Sequence, residues 1–315
     1  MSASSTPSVS DAHPIAIVGA GAVGSAIARR LHELGDPIAA VLSRRATSAQ
    51  ALADRVGAPV ASSNVAALPE QTRFVLLCVP DDAIGPVAER LADVAHPWAD
   101  TVVAHTSGAR PASELAALAR RGAASLSFHP MQTFAQDTAP SAFDGIVIGL
   151  EGSDAALSVG SILARHLGGT PVRLSASDKI RYHCAAALAS NGLVALLSVV
   201  REVLATAGIE GERARQLVQP LVDQTWENLQ AEAPASVLTG PVARGDRGTV
   251  EAHVEALAEA QPHLIPLYVA LSEEMVRLAE RDDRLAPSQA QQMRDLLRAA
   301  RTASGNASYS SDASR

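Results

Sequence analysis

Ile15-Ala-Ile-Val-Gly-Ala-Gly-Ala-Val-Gly24 is a short apolar run that breaks at three glycines, and Ser25-Ala-Ile-Ala-Arg-Arg-Leu31 follows it with helical spacing. The first half suits a buried parallel strand and the second an amphipathic helix. Strand, glycine turn and helix, in that order, are the context in which glycines at this spacing hold a dinucleotide. Gly19 permits the tight turn, Gly21 lets backbone amides approach a pyrophosphate, and Gly24 lets the helix pack on the strand. Ala20, Ala22 and Val23 complete the cradle, and the helix N-terminus faces the phosphate charge.

Working outward, the next strand reads Ile38-Ala-Ala-Val-Leu42 and runs into Ser43-Arg44-Arg45. A site for NAD places a carboxylate here for the ribose 2′-hydroxyl, whereas a site for NADP places arginine to meet the 2′-phosphate. Two arginines beside a hydroxyl, with no carboxylate, point to NADP(H). A helix over about 47–56 and a short strand near 59–61 follow. Then come apolar strands at 74–79, 101–104, 124–128, 146–150 and 171–174, with helices to about Leu91, from Ala112 to Arg121, and over about 154–167. Such alternation predicts a doubly wound parallel sheet of α/β class. Ligands of these sheets lie beyond the carboxyl ends of the strands. The polar runs Pro80-Asp-Asp82, His105-Thr-Ser-Gly108 and His129-Pro-Met-Gln132 fall at those ends. Val79, Pro80, Thr106 and Ser107 are therefore expected beside the cofactor, and His129 at the reacting group.

After Leu174 the pattern changes. Residues 176–207 contain no proline and predict one long, mostly apolar helix, buried nearly all round. Further helices are expected at about 211–231, 248–260, 263–283 and 287–302. The predicted organisation is a disordered tail (1–13), a dinucleotide-binding domain (14–175), an all-α domain (176–302) and a second disordered tail (303–315).

Lys179 is the only lysine in the chain. At about 100° per residue, Lys179, His183 and Ser190 fall at roughly 0°, 40° and 20° around the long helix, with Asn191 near 120°. A polar stripe on an apolar helix is costly unless partners or a ligand satisfy it. Reduction of a carbonyl or imine needs a group that protonates or stabilises the developing charge, and a clamp for the substrate. Lys179 or His129 would serve the first need, with Asn191 orienting. Thr239 and Arg244, in Leu238-Thr-Gly-Pro-Val-Ala-Arg-Gly-Asp246, would bind a substrate carboxylate; the same stretch also reads as a helix-capping turn in which Arg244 and Asp246 pair.

Composition narrows the class. Hydrophobic residues make up 47% and charged residues 19% of 315, so the chain can build a large core. The net charge of −7 argues against a nucleic-acid or anionic-membrane surface. No stretch is read as having the apolar length of a membrane span, and the first thirteen residues lack the pattern of a signal peptide. Two cysteines, Cys78 and Cys184, suggest neither a disulfide nor a metal framework. A cytoplasmic protein with a small-molecule substrate and no metal is expected.

The glycine turn, Leu77-Cys-Val-Pro-Asp-Asp82, His105-Thr-Ser-Gly108, Phe128-His-Pro-Met-Gln-Thr-Phe134, Asp178-Lys179, Ala189-Ser-Asn191 and Thr239-Gly-Pro-Val-Ala-Arg-Gly-Asp246 occur in this order. Together they resemble a bacterial family that pairs a Rossmann-like domain with a helical domain of unknown function. That family is similar to ketopantoate reductase, pyrroline-5-carboxylate reductase, prephenate dehydrogenase and the β-hydroxyacid dehydrogenases. The resemblance implies a C-terminal domain of the 6-phosphogluconate dehydrogenase type, a homodimer formed through it, and an NADP-dependent oxidoreductase with ketopantoate the leading substrate. An imine reductase, a prephenate-type dehydrogenase and a non-catalytic NADP(H)-binding sensor are the alternatives. In ketopantoate reductases the lysine and asparagine of the long helix are four residues apart, whereas Lys179 and Asn191 are twelve apart.

Overall fold

The computed structural model describes residues 14–311, so the predicted tail at 1–13 lies outside the described residues. The chain divides into two compact units, Met1–Asn191 and Gly192–Arg315. The first contains β1 (Ile15–Val18), α1 (Ala22–Glu33), β2 (Ile38–Leu42), α2 (Ala46–Val56), β3 (Val60–Ser62), β4 (Phe74–Leu77) and α3 (Ile84–Ala92). It continues with β5 (Val102–His105), α4 (Ala116–Ala119), β6 (Ala124–Pro130), β7 (Val147–Gly152), α5 (Asp154–His166), β8 (Thr170–Arg173) and α6 (Lys179–Ala187). The eight strands form one sheet in the order β3-β2-β1-β4-β5-β6-β7-β8.

Period-2 alternation explains why the sheet is covered on both faces. Ile15 and Ile17 of β1 pack with Ile27 and Leu31 of α1, Leu52 of α2 and Leu163 of α5. Ala16 and Val18, pointing the other way, pack with Ile84, Ala88 and Leu91 of α3 and with Trp98, Leu115 and Leu118. β1, β2 and β4 are buried at every residue, as a parallel strand sandwiched between helices requires. Helix α2 stops at Gly57, whose φ of +67° provides a left-handed cap.

One pairing departs from the predicted parallel sheet. β7 runs antiparallel to β6, with His129 opposite Gly149. Residues 131–146 hold only a single short 3₁₀ turn (Pro140–Phe143) and no crossover helix, and a parallel return needs a crossover. β8 pairs parallel to β7 at the sheet edge, where Pro171 is tolerated.

The second unit contains α7 (Leu193–Thr206), α8 (Gly211–Ala231), α9 (Pro234–Val237), α10 (Arg247–Ala260), α11 (Ile265–Arg281) and α12 (Pro287–Ser311). Its core joins Val250 and Leu257 of α10, Val269 and Val276 of α11, and Met293 and Leu297 of α12. Asp246 caps α10 by accepting from the Thr249 amide at 3.1 Å and hydroxyl at 2.7 Å. Helical backbone in α12 continues to Ser311, nine residues past the predicted end at 302, in a stretch that holds no proline to stop it.

The long helix differs from expectation in three ways. Helical backbone runs from Lys179 to Thr206, yet Leu188–Gly192 is a π-helical turn, and the boundary between the units falls within it. Lys179 and His183 therefore belong to the sheet-bearing unit, not to a domain beginning at 176. The helix is not buried nearly all round either: Ile180, Leu188 and Val194 are 62%, 69% and 69% exposed. Periodicity reports an apolar surface but not what covers it. Finally, these 28 residues, which contain an 18-residue window with a mean hydropathy of 1.7, make one helix long and apolar enough to cross a membrane. That corrects the sequence reading, in which polar residues of the first turns obscured the apolar run beyond Cys184.

Candidate active site

The glycine turn is built by close backbone approach. Gly19 has φ +112°, and a Cβ placed on it would lie 2.2 Å from the Cys78 carbonyl oxygen. A Cβ on Gly24 would lie 2.0 Å from the Gly19 oxygen and 3.0 Å from the Cys78 Cβ. Thus α1 sits against the junction of β1 and β4 because only hydrogens stand between them. Gly21 is different: nothing lies within 4 Å of its added Cβ. It is the N-cap of α1 with no side-chain cap, and no acidic residue occupies the first turn. The space and the free amides are therefore turned outward, which suits an anion.

A cleft of ≈ 570 Å³ opens on this turn. Ser43, Arg44, Arg45 and Ser63 line one side, and Val79, Pro80, Pro86 and Val87 the other. A smaller cleft of ≈ 300 Å³ adjoins Gly21, where Ser25, Arg45, Ser48 and Arg55 contribute. Arg44 and Arg45 are exposed, and neither makes an ion pair among the described residues. Open glycine, uncapped helix and free guanidiniums fit a phosphorylated dinucleotide. Arg90 of α3 also lines the larger cleft; no sequence signal separated it from other surface arginines.

At the tips of β4, β5 and β6 the second cluster forms. Helical side chains lean towards the helix N-terminus, so Lys179, at the start of α6, reaches back to the sheet. It is 0% exposed, and its Nζ donates to the Ser107 carbonyl at 3.1 Å and the Ser127 Oγ at 2.5 Å. Ser127 Oγ in turn donates to the same carbonyl at 3.2 Å. Burial pulls the Lys179 ammonium down to about 8, against the opposing fields of Glu151 and Asp81.

The neighbouring histidines are held neutral. His105 is fully buried, with Nε2 at 3.1 Å from the Pro111 carbonyl and Nδ1 accepting from the Ser107 amide at 3.2 Å. Burial, and to a smaller degree the Lys179 charge, lowers His105 to about 4. His129 is lowered to about 4 by burial, then by the charges of Lys179 and His183. Its Nδ1 stands 3.4 Å from the Tyr182 hydroxyl, and its ring meets His183 edge-on at 5.8 Å between centroids. Gly108 lies between these rings: an added Cβ would be 2.6 Å from His183 Nδ1 and 2.7 Å from His129 Nε2. His183 Nδ1 is buried with no partner among the described residues.

Sequence arithmetic for the long helix works for one turn and then fails. Lys179 and His183 both reach the β5–β6 tips, but the π-helical turn winds more residues per turn than the 100° step assumes. Asn191 is exposed, and the Lys179 donors go to Ser107 and Ser127 instead. Thr106 and Ser107 act locally. The Thr106 amide donates to Leu77, and Ser107 Oγ accepts from the Ala109 and Arg110 amides. Thr239 and Arg244 are exposed in the second unit, and Arg244 makes no ion pair among the described residues, while Asp246 caps α10.

A Rossmann-like domain is matched over residues 5–130, and a domain of unknown function, DUF2520, over residues 146–275. The chain pairs a Rossmann-like domain with a DUF2520 domain. Among solved structures, a candidate NADP oxidoreductase from Bacteroides fragilis is 23% identical with a TM-score of 0.71, over 85% of this chain and 99% of that one. A protein from Thermotoga maritima is 26% identical with a TM-score of 0.68, over 85% and 99%. A reductive aminase from Aspergillus terreus, in complex with NADPH and ethyl levulinate, is 22% identical with a TM-score of 0.62, over 87% and 99%. No curated protein matches the chain. The fold is the one these solved structures share.

The Rossmann-like match ends at Pro130, whereas β7 and β8 of the same sheet fall within the DUF2520 match. The cluster at the strand tips is thus made by both: His105, Ser107, Gly108, Ser127 and His129 come from the Rossmann-like domain, and Lys179, Tyr182 and His183 from DUF2520. Sequence reasoning missed Ser127, Gly108, Tyr182 and Asp81. Asp81 is exposed on the turn after β4, and its field raises the proton affinity of Lys179, His105 and His129. The strand-tip rule marks the run Pro80-Asp-Asp82 but does not separate Asp81 from its neighbours.

The Gly108 geometry makes a direct prediction. Its φ is not positive, so alanine fits the backbone, and the atoms it would strike are ends of side chains. Gly108→Ala should displace both imidazoles and lower turnover about 10²-fold, the scale of misplacement in an active site. Its thermal midpoint should stay within a few degrees of wild type. Wild-type turnover in Gly108→Ala would show that these histidines stand apart from the chemistry.

Proposed function

We propose that this protein is an NADPH-dependent reductase of a small carboxylate-bearing carbonyl compound, with ketopantoate the first substrate to test. The observation that carries the cofactor reading is the cleft that joins an open glycine turn to two unpaired arginines, with no carboxylate at the end of β2. Backbone at Gly19–Gly24 would hold the pyrophosphate, and Ser43, Arg44 and Arg45 the 2′-phosphate. Val79, Pro80, Thr106 and Ser107 would border the nicotinamide, which supplies the hydride when bound. His129 and His183 would meet the reacting carbonyl, with Lys179 behind them. Ser190 and Asn191 remain substrate and orienting candidates. NADPH and NADH titrations, followed by NADPH oxidation with ketopantoate and a panel of keto acids and imines, test the reading. Preference for NADPH with keto-acid turnover supports it; tight binding without turnover of any compound would make the protein a cofactor sensor.

Asp81 favours a second reading. Within the first unit, the Lys179 ammonium is buried and engaged, while the Asp81 carboxylate is exposed and makes no ion pair among the described residues. An exposed carboxylate near neutral imidazoles suits a cationic iminium better than a carboxylate-bearing ketone. Imine turnover that falls in Asp81→Asn, with ketopantoate inert, would select this reading.

The proposal also includes a cytoplasmic homodimer. Ile180, Leu188, Leu193 and Val194 leave a run of large apolar side chains on one helix open to solvent, and a second copy is the occupant proposed for it. Light scattering should give twice the chain mass of 32.5 kDa. Val194→Glu should shift it to monomer at micromolar concentration; a wild-type monomer would remove the proposal.

A further inference from the structure

Lys179 is the residue whose surroundings fit its expected role least. A proton donor to substrate must present its proton, whereas this ammonium is 0% exposed, with its bonds made to Ser107 and Ser127. The three partners close a triangle. Ser127 Oγ accepts from Nζ and donates to the Ser107 carbonyl, which also accepts from Nζ. Ser107 immediately precedes Gly108, the residue packed between the His129 and His183 nitrogens. The same helix, one turn on, delivers His183. We infer that Lys179 is a positioning residue: its ammonium pins the Ser107 carbonyl to Ser127 and so seats Gly108 between the imidazoles of His129 and His183. The lysine thereby ties β5, β6 and α6 together at one point, and the two histidines take their spacing from it.

The inference rests on the reading that these histidines meet the reacting group, but its test does not depend on any substrate. Histidine-labelled full-length protein is compared by NMR as wild type, Lys179→Met and Ser127→Ala, with His129 and His183 assigned through their glutamine variants. An unbranched apolar side chain suits the Lys179 site, and Ser127→Ala removes only a hydroxyl. Both ring signals should move in both variants, while those of His253 and His263 in the second unit stay in place. NADPH affinity should change less than about threefold. If the His129 and His183 signals are unmoved in either variant, the inference falls. Should a substrate be found, kcat should drop by a similar factor in both variants, about 10–10², and the double variant should be no worse than the weaker single one. A loss above about 10³ in Lys179→Met with wild-type activity in Ser127→Ala would instead make the ammonium a proton donor and overturn the inference.

Discussion

Gly19→Ala is expected to remove several kcal/mol of stability and, with it, cofactor binding. At φ +112° an L-residue is strained, on the order of 1–2 kcal/mol. The new methyl would also lie 2.2 Å from the Cys78 carbonyl oxygen, which belongs to backbone just past β4 and cannot swing aside as a side chain can. Moving it would break the hydrogen bonds by which Gly19 and Cys78 extend the β1 pairings, Gly19 amide to Leu42 and Cys78 amide to Val18, each 2.7 Å. Losses above about 4 kcal/mol mark this kind of named disruption, against a total near 5–15 kcal/mol. Gly21→Ala is the matched control, since its φ is −84° and its Cβ meets nothing within 4 Å. It should unfold within about 1 kcal/mol of wild type yet bind NADPH about tenfold or more weakly, because the methyl takes the space offered to the pyrophosphate. Denaturant melts with NADPH titrations decide it. Equal stability for both variants would contradict the close packing described for Gly19, and undiminished NADPH binding by Gly21→Ala would remove the phosphate from this turn.

The second large effect concerns cofactor choice. Arg44 and Arg45 are exposed and unpaired in a cleft that has no carboxylate at the end of β2, its one acidic lining residue, Asp82, lying after β4. A hydrogen bond to a charged group contributes about 1.5–3 kcal/mol, so losing two weakens binding on the order of 10²–10⁴-fold. Solvent screening at an exposed site places the expectation at the lower end. Arg44→Ala with Arg45→Ala should therefore weaken NADPH by about 10²-fold and leave NADH within about threefold, and the wild-type preference should shrink as salt is raised. Equal losses for both cofactors would mean the arginines act on the fold or on the shared pyrophosphate.

Much of the first unit was legible because its strands are short, apolar and separated by helices of ordinary length. The glycine turn was legible for a further reason: each glycine has a distinct steric task that no other residue performs. The antiparallel β7 was not, because a strand's direction is set by its connection, and residues 131–146 carry no period that declares one. Lys179 could be singled out as the one lysine, but composition does not say whether an ammonium faces a ligand or a serine. Burial and the 2.5 Å contact to Ser127 decide that, and both depend on β6, some fifty residues away in sequence. Ser190 and Asn191 were placed by a regular helix that the π-helical turn interrupts. The exposure of Ile180, Leu188 and Val194 was illegible because an apolar helix reads alike whether its own chain or another covers it.

The strand order carries a consequence for how the protein is made. β2 and β3 extend β1 one way, β4 returns to the other side of β1, and every strand from β5 to β8 docks beside the one translated just before it. From β4 onward, order of synthesis and order of assembly coincide, so only β1 holds an edge open, for β4, while β2 and β3 are made. Edges that wait unpaired are where parallel sheets aggregate. Here the glycine turn and its flanking strands are complete once α3 has left the ribosome, with more than two-thirds of the polypeptide still to come. A cofactor molecule present at that moment would meet its cradle while the strand tips that complete the reacting end are still being translated.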